Sequence, residues 1–162
     1  MVDHFPYRVV SGAECVTLVW RPGVGDALDE FVVGERGGLL VFADRDALHE
    51  YGDRKGWSLG WEDEGAIDLD VVRGWVERPG SERGAASGGL LLDAWHFVED
   101  LARGVGAGPL RFARGPVADR AWEKAYGEEP WTREEAAAVR ALLREGLALW
   151  ERAMAAPRHP AP

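Results

Sequence analysis

The sequence holds one cysteine, two lysines and two methionines, and no stretch approaches the roughly 18 apolar residues that a membrane span needs. Each shortage excludes something. With Cys15 alone, no disulfide can form within one copy, and its apolar setting, CVTLVW, predicts a buried thiol in a reducing compartment. The first residues, MVDHFPYRVV, have neither a basic start nor a long apolar core, so the reading is a cytoplasmic protein with no membrane contact. Two lysines stand against 17 arginines and 21 glycines, a bias that points to a GC-rich coding genome and to no particular chemistry.

What is present is an ordinary globular balance, 46% apolar and 29% charged over 162 residues, enough for one domain with its own core. Residues 1–156 read as that domain and residues 157–162, ending PRHPAP, as a disordered tail. The net charge of −9 is unevenly spread: residues 1–60 carry −4, residues 61–100 carry −7 and residues 101–162 carry +2. An acidic middle repels nucleic acid and anionic membranes, and it speeds encounter with a basic protein.

The first third reads as β. FPYRVV and CVTLVW flank the turn SGAE, and DALDEFVVG and GLLVFA flank ERGG, whose Gly37 and Gly38 suit a tight hairpin. WSLGW is a candidate edge strand, with Trp57, Leu59 and Trp61 on one face by period two. Helices then dominate. Asp44 predicts an N-cap for a short helix through Leu48 and Tyr51, and Asp68 predicts one for a helix with Leu69, Val72, Trp75 and Val76 inward. LLLDAWHFVEDLARGVG reads as a central helix and VADRAWEKAY as a short one. The closing WTREEAAAVRALLREGLALWERAMAA opens on a capping box, Thr132 with Glu135. Strands first and helices after predict an α+β domain: an N-terminal antiparallel β-meander with C-terminal helices packed on one face.

Chemistry is sparsely signalled. Ser11, Ser58, Ser81 and Ser87 lie in no nucleophile elbow, and RPGVGD and ERGG lack the spacing of a phosphate loop, so no cofactor is implied. His96, Glu99 and Asp100 fall at i, i+3 and i+4 on one helix and, with carboxylates from Glu62, Asp63 or Glu64, have a permissive spacing for a divalent metal. That would make a metal-dependent enzyme or metal-binding protein, although such triples are also common on solvated helix flanks.

The strongest constellation is WSLGWEDEGAIDLDVVRGW, residues 57–75. Here Trp57, Trp61 and Trp75 surround Glu62, Asp63, Glu64, Asp68 and Asp70. Aromatic anchors among charges are what energetic centres of protein interfaces favour. The bland alternative is that the tryptophans are core while the acids cap a helix and solubilise a loop.

The segments DLDVVRGW and LLLDAWHFVEDLA, within residues 39–153, resemble paired motifs in a group of small uncharacterised actinobacterial proteins, with His96 where that pattern carries Asn. That group is similar to the immunity proteins that accompany bacterial toxins. The resemblance implies a binding protein without chemistry of its own. The expectation is thus a non-catalytic, immunity- or antitoxin-like inhibitor of a basic partner such as a toxin, in contact through Trp57, Trp61, Glu62, Asp63, Glu64, Asp68 and Asp70. A dimerising role for the hairpin edge or the last helix is a third reading.

Overall fold

The structure, a computed structural model, describes residues 3–60, 64–78, 88–111, 114–157 and 159–160. Strands β1 (Phe5–Ser11) and β2 (Glu14–Arg21) form the first hairpin, with Val9 opposite Val16 and Tyr7 opposite Leu18. β3 (Glu30–Phe31) adds to the outer side of β2, and β4 (Leu40–Val41) follows it. The ERGG hairpin is present between them as a Val33–Leu39 bridge, with Gly37 at φ 79°. α1 (Arg45–Lys55) starts at Asp44, whose side chain accepts from the Ala47 amide. Then β5 (Gly65–Asp68) runs parallel to β1, completing a sheet of order β3-β2-β1-β5. α2 (Leu69–Glu77), α3 (Gly88–Gly104), α4 (Pro116–Tyr126) and α5 (Arg133–Ala155) complete the α+β domain. Within the stretch read as a tail, β6 (His159–Pro160) is placed in register beside β4.

The parallel strand modifies the expected meander, and its origin is local. WSLGW does run along the start of β1, but as a single His4–Leu59 bridge, with the Asp3 and His4 amides donating to the Ser58 carbonyl and the Gly60 amide to the His4 carbonyl. The ladder resumes at Gly65, where Ile67 alone turns into the core. Period two nevertheless places Trp57 and Leu59 together against one cluster, as expected.

Both faces of the sheet are covered, which differs from helices on one face. Val9, Val16, Leu18, Phe31 and Ile67 meet α2, α3, α4 and α5 in the main core, where Leu91, Phe97, Leu101, Leu142 and Trp150 are buried. The opposite face carries a second cluster, Val19, Val32, Leu40, Phe42 and Leu48, with Tyr51 and Trp57 packed on it. β2 is therefore buried on both sides from Val16 to Val19, and α1 supplies the second cover.

α3 is central, touching α2, α4, α5, β3 and β5. Two of its crossings depend on glycine. A Cβ on Gly104 would lie 2.1 Å from the Phe31 carbonyl oxygen, and one on Gly146 of α5 would lie 2.3 Å from a Val98 methyl. At α5, the Thr132 hydroxyl accepts from the Glu135 amide while the Glu135 carboxylate accepts from the Thr132 amide, the capping box that the sequence predicts. Glu135 also receives Lys124 Nζ at 2.8 Å, the largest influence holding its carboxyl below the usual range and a tie between α5 and α4.

Tyr7 gives a pH signature to this core. Its ring stacks on Phe97 and meets Phe31 edge-on, and burial, with the Asp93 and Asp100 carboxylates adding, pushes the phenol well above its ordinary value. Above about pH 10 the unfolded chain gives up this proton and the folded chain keeps it. Stability present below that pH is then lost as pH rises, by about 1.4 kcal/mol per unit from this one group. Melting temperatures of wild type and Tyr7→Phe should diverge in slope between pH 9.5 and 11.5, with the steeper fall in wild type; parallel slopes would reject the assignment.

Candidate functional site

Of the acidic-aromatic stretch, Trp61, Glu62 and Asp63 lie outside the described residues. The other members have structural partners. Trp57 is half-buried, stacked on His4 at 4.1 Å between ring centroids and edge-on to Tyr51. Glu64 accepts from Arg45 Nη1 at 3.2 Å. Asp68 caps α2 by accepting from the Asp70 and Val71 amides, and both Asp70 oxygens accept from the Gly12 amide at 2.9 and 3.0 Å. Asp70 thereby fastens the β1–β2 turn to α2, and Arg73 closes on the same carboxylate at 3.0 Å. Trp75 is core, 3% exposed, with the Arg140 guanidinium 4.3 Å over its ring.

Strand register puts several of these side chains on one side of the sheet. Arg8 lies across from Thr17 and Ala66, and Val10 lies across from Cys15 and Asp68, so these six share a face. Pro6 and Val19 continue the same parity into the second cluster, which holds Trp57 and α1. The α1 side of the sheet therefore carries Trp57, Asp68 and Glu64, together with Asp44 and Asp46 from the start of α1. Only part of it is roofed by α1. The remainder is an open concavity of about 440 Å³ that Arg8, Cys15, Thr17, Asp46 and Glu64 help to line.

Cys15 corrects the expectation of a buried thiol: it is exposed. The strand alternation that places it was legible, but Cys15 stands at the hairpin end of β2, beyond the cover that α1 gives Val19. An apolar neighbourhood in sequence was therefore not an apolar neighbourhood in space.

His96, Glu99 and Asp100 follow one another along α3, yet each turns to a different partner. His96 Nε2 and the Tyr126 hydroxyl are hydrogen-bonded at 3.2 Å, with the imidazole edge-on to Trp122. Glu99 accepts from Trp95 Nε1 at 3.3 Å. Asp100, 6% exposed, accepts from Trp20 Nε1 at 3.0 Å and from Arg103, whose Nε donates to the Asp29 carbonyl at 2.6 Å. Burial pushes the Asp100 carboxyl up, against the bonds from Trp20 and Arg103 that favour its charged form. Among the described residues, no three His, Cys, Asp or Glu side chains converge closely enough to hold an ion.

The Trp20–Asp100–Arg103 network was not anticipated from sequence. It joins β2, α3 and the loop before β3, and beside it opens a second concavity of about 520 Å³ lined in part by Leu28, Ala102, Arg103, Leu110 and Arg114. The only local signal was the i, i+3 spacing of Asp100 and Arg103; the indole comes from 80 positions earlier.

No family model matches the chain, and no curated protein matches it. Among solved structures it is similar to the C-terminal domain of SatS, a domain solved in complex with bromine. The two are 15% identical with a TM-score of 0.53, over 94% of this chain and 91% of the other, a likeness of fold. No helix among the described residues is long and apolar enough to cross a membrane.

Proposed function

We propose that the chain is a non-catalytic protein-binding module, an immunity- or antitoxin-like inhibitor that meets a basic partner in the cytoplasm with the α1 side of its sheet. The observation that carries this reading is that Asp44, Asp46 and Glu64 line a concavity that α1 leaves open, with Trp57 and Asp68 elsewhere on the same side of the sheet. A half-buried indole offers an anchor that is already ordered, so little side-chain freedom is lost when a partner covers it. The surrounding carboxylates supply a field of the sign that draws a basic surface in, adding mainly to the rate of association.

Asp70 has a narrower role in this reading. Its two oxygens are occupied by the Gly12 amide, so it shapes the edge of the face and leaves direct contact to its neighbours.

Charge reversal tests the proposal. Asp46→Lys/Glu64→Lys, checked for an unchanged melting profile apart from the small cost of a surface pair, should associate with the basic partner about tenfold more slowly at low salt, and its rate should respond less to added salt. An association rate equal to wild type at low ionic strength would reject this face.

A further inference from the structure

We propose that Cys15 is a site of reversible thiol–disulfide exchange with a low-molecular-weight disulfide of the zwitterionic amino-acid or peptide class, its carboxylate recognised by Arg8 and Thr17. The inference concerns the same concavity as the partner-binding reading and does not require that reading. It rests on three groups that line the same concavity. The Cys15 thiol is free and exposed. The exposed Arg8 guanidinium makes no hydrogen bond or ion pair with any described residue. Thr17 is only 4% exposed, yet its hydroxyl has no hydrogen-bond partner among the described residues. Trp75 Nε1 is the one side-chain polar atom among them that is both fully enclosed and unpartnered, so the Thr17 hydroxyl opens on the concavity.

The Thr17 hydroxyl is thus held on a buried residue with its hydrogen-bonding capacity open to a ligand in the concavity, on the same strand face as the thiol two residues away. Register sets the spacing. Arg8 faces Thr17 directly, and Cys15 is the diagonal neighbour of Arg8, about 7–8 Å between such positions, which an arginine side chain spans. A carboxylate held by Arg8 and the Thr17 hydroxyl therefore brings a sulfur a few bonds away to Cys15 Sγ. Asp46, which also lines the concavity, can receive an ammonium, while Glu64 is already paired with Arg45. The mixed lining is what selects a zwitterion over a simple anion.

The chemistry needs nothing beyond the disulfide itself. The Cys15 thiol loses its proton to solvent, and the thiolate attacks one disulfide sulfur. The Sγ–S bond forms as the S–S bond breaks, and the departing thiolate takes up a proton. Cys15 is oxidised to a mixed disulfide and the leaving half is reduced to a thiol. Excess thiol reverses the step.

The test uses the full chain with two probes: glutathione disulfide, which has carboxylates and ammoniums, and cystamine, which has ammoniums only. Adduct formation is followed by intact mass, and each rate is divided by the rate for the same chain unfolded in urea, which removes the general attraction of an acidic protein for a cationic probe. The folded chain should favour glutathione disulfide over cystamine by about threefold to tenfold. Arg8→Gln should abolish that preference and leave the cystamine rate unchanged, Arg8→Lys should restore part of it, and Cys15→Ser should take up neither probe. No adduct on the folded wild type, or a preference that survives in Arg8→Gln, would overturn the proposal.

Discussion

Phe97→Ala should lower the stability of the domain by about 3–5 kcal/mol, the range for truncating a large aromatic in a packed core. The expectation comes from where the ring sits. Phe97 is 1% exposed and meets Tyr7 of β1, Phe31 of β3 and Trp150 of α5, with centroid distances of 5.8, 5.3 and 5.8 Å. Removing it takes a shared contact from the sheet and from the longest helix together, and the rings around it are too rigid to collapse into the gap. The melting temperature should fall by roughly 10 °C. Phe97→Leu, which keeps most of the volume, should cost about 1.5 kcal/mol or less. Equal losses for the two variants in urea titrations would mean that the cavity is not the cause.

Gly104→Ala should cost about 3 kcal/mol although it adds a single methyl group, the upper end of what overpacking usually exacts. The added carbon would meet the Phe31 carbonyl at 2.1 Å, and a backbone atom cannot turn aside as a side-chain tip can. α3 would have to lift from β3, straining the bond from Arg103, the residue before Gly104, to the Asp29 carbonyl and the bond from Trp20 to Asp100. Gly146→Ala is the useful comparison. Its new carbon would meet the Val98 side chain at 2.3 Å, which can move a little, and alanine recovers about 1 kcal/mol of helix propensity. The Gly146 variant should therefore be the milder of the two in chemical denaturation, and the reverse order would contradict the crossing geometry.

These positions also indicate which parts of the structure could be read from sequence. Caps were legible because they are local: Asp44, Asp68 and the Thr132–Glu135 box each act within three residues of themselves. The main apolar stripes, and with them the α+β plan, followed from periodicity. β5 was obscured because it has four residues, one core-facing side chain, and an Asp68 that ends the strand and caps the next helix at once. The exposure of Cys15 depends on how far α1 extends over the sheet, which no neighbouring residue encodes. The divergence of His96, Glu99 and Asp100 was equally nonlocal, since their partners come from α4, from within α3 and from β2. For the acidic stretch, the structure gives Asp68 and Asp70 mechanical duties, a helix cap and a tie to the β1–β2 turn, the second of which depends on a partner the local sequence does not name. It also added Asp44 and Asp46, from a different element, to the same side.

The decisive measurement of partner binding is affinity capture from native lysate, with wild type and Asp46→Lys/Glu64→Lys immobilised side by side and the retained proteins identified by mass spectrometry. A basic protein should be held by wild type, released by salt, and depleted on the charge-reversed chain. Equal retention of the same protein by both chains, or retention by neither, would contradict the proposed function.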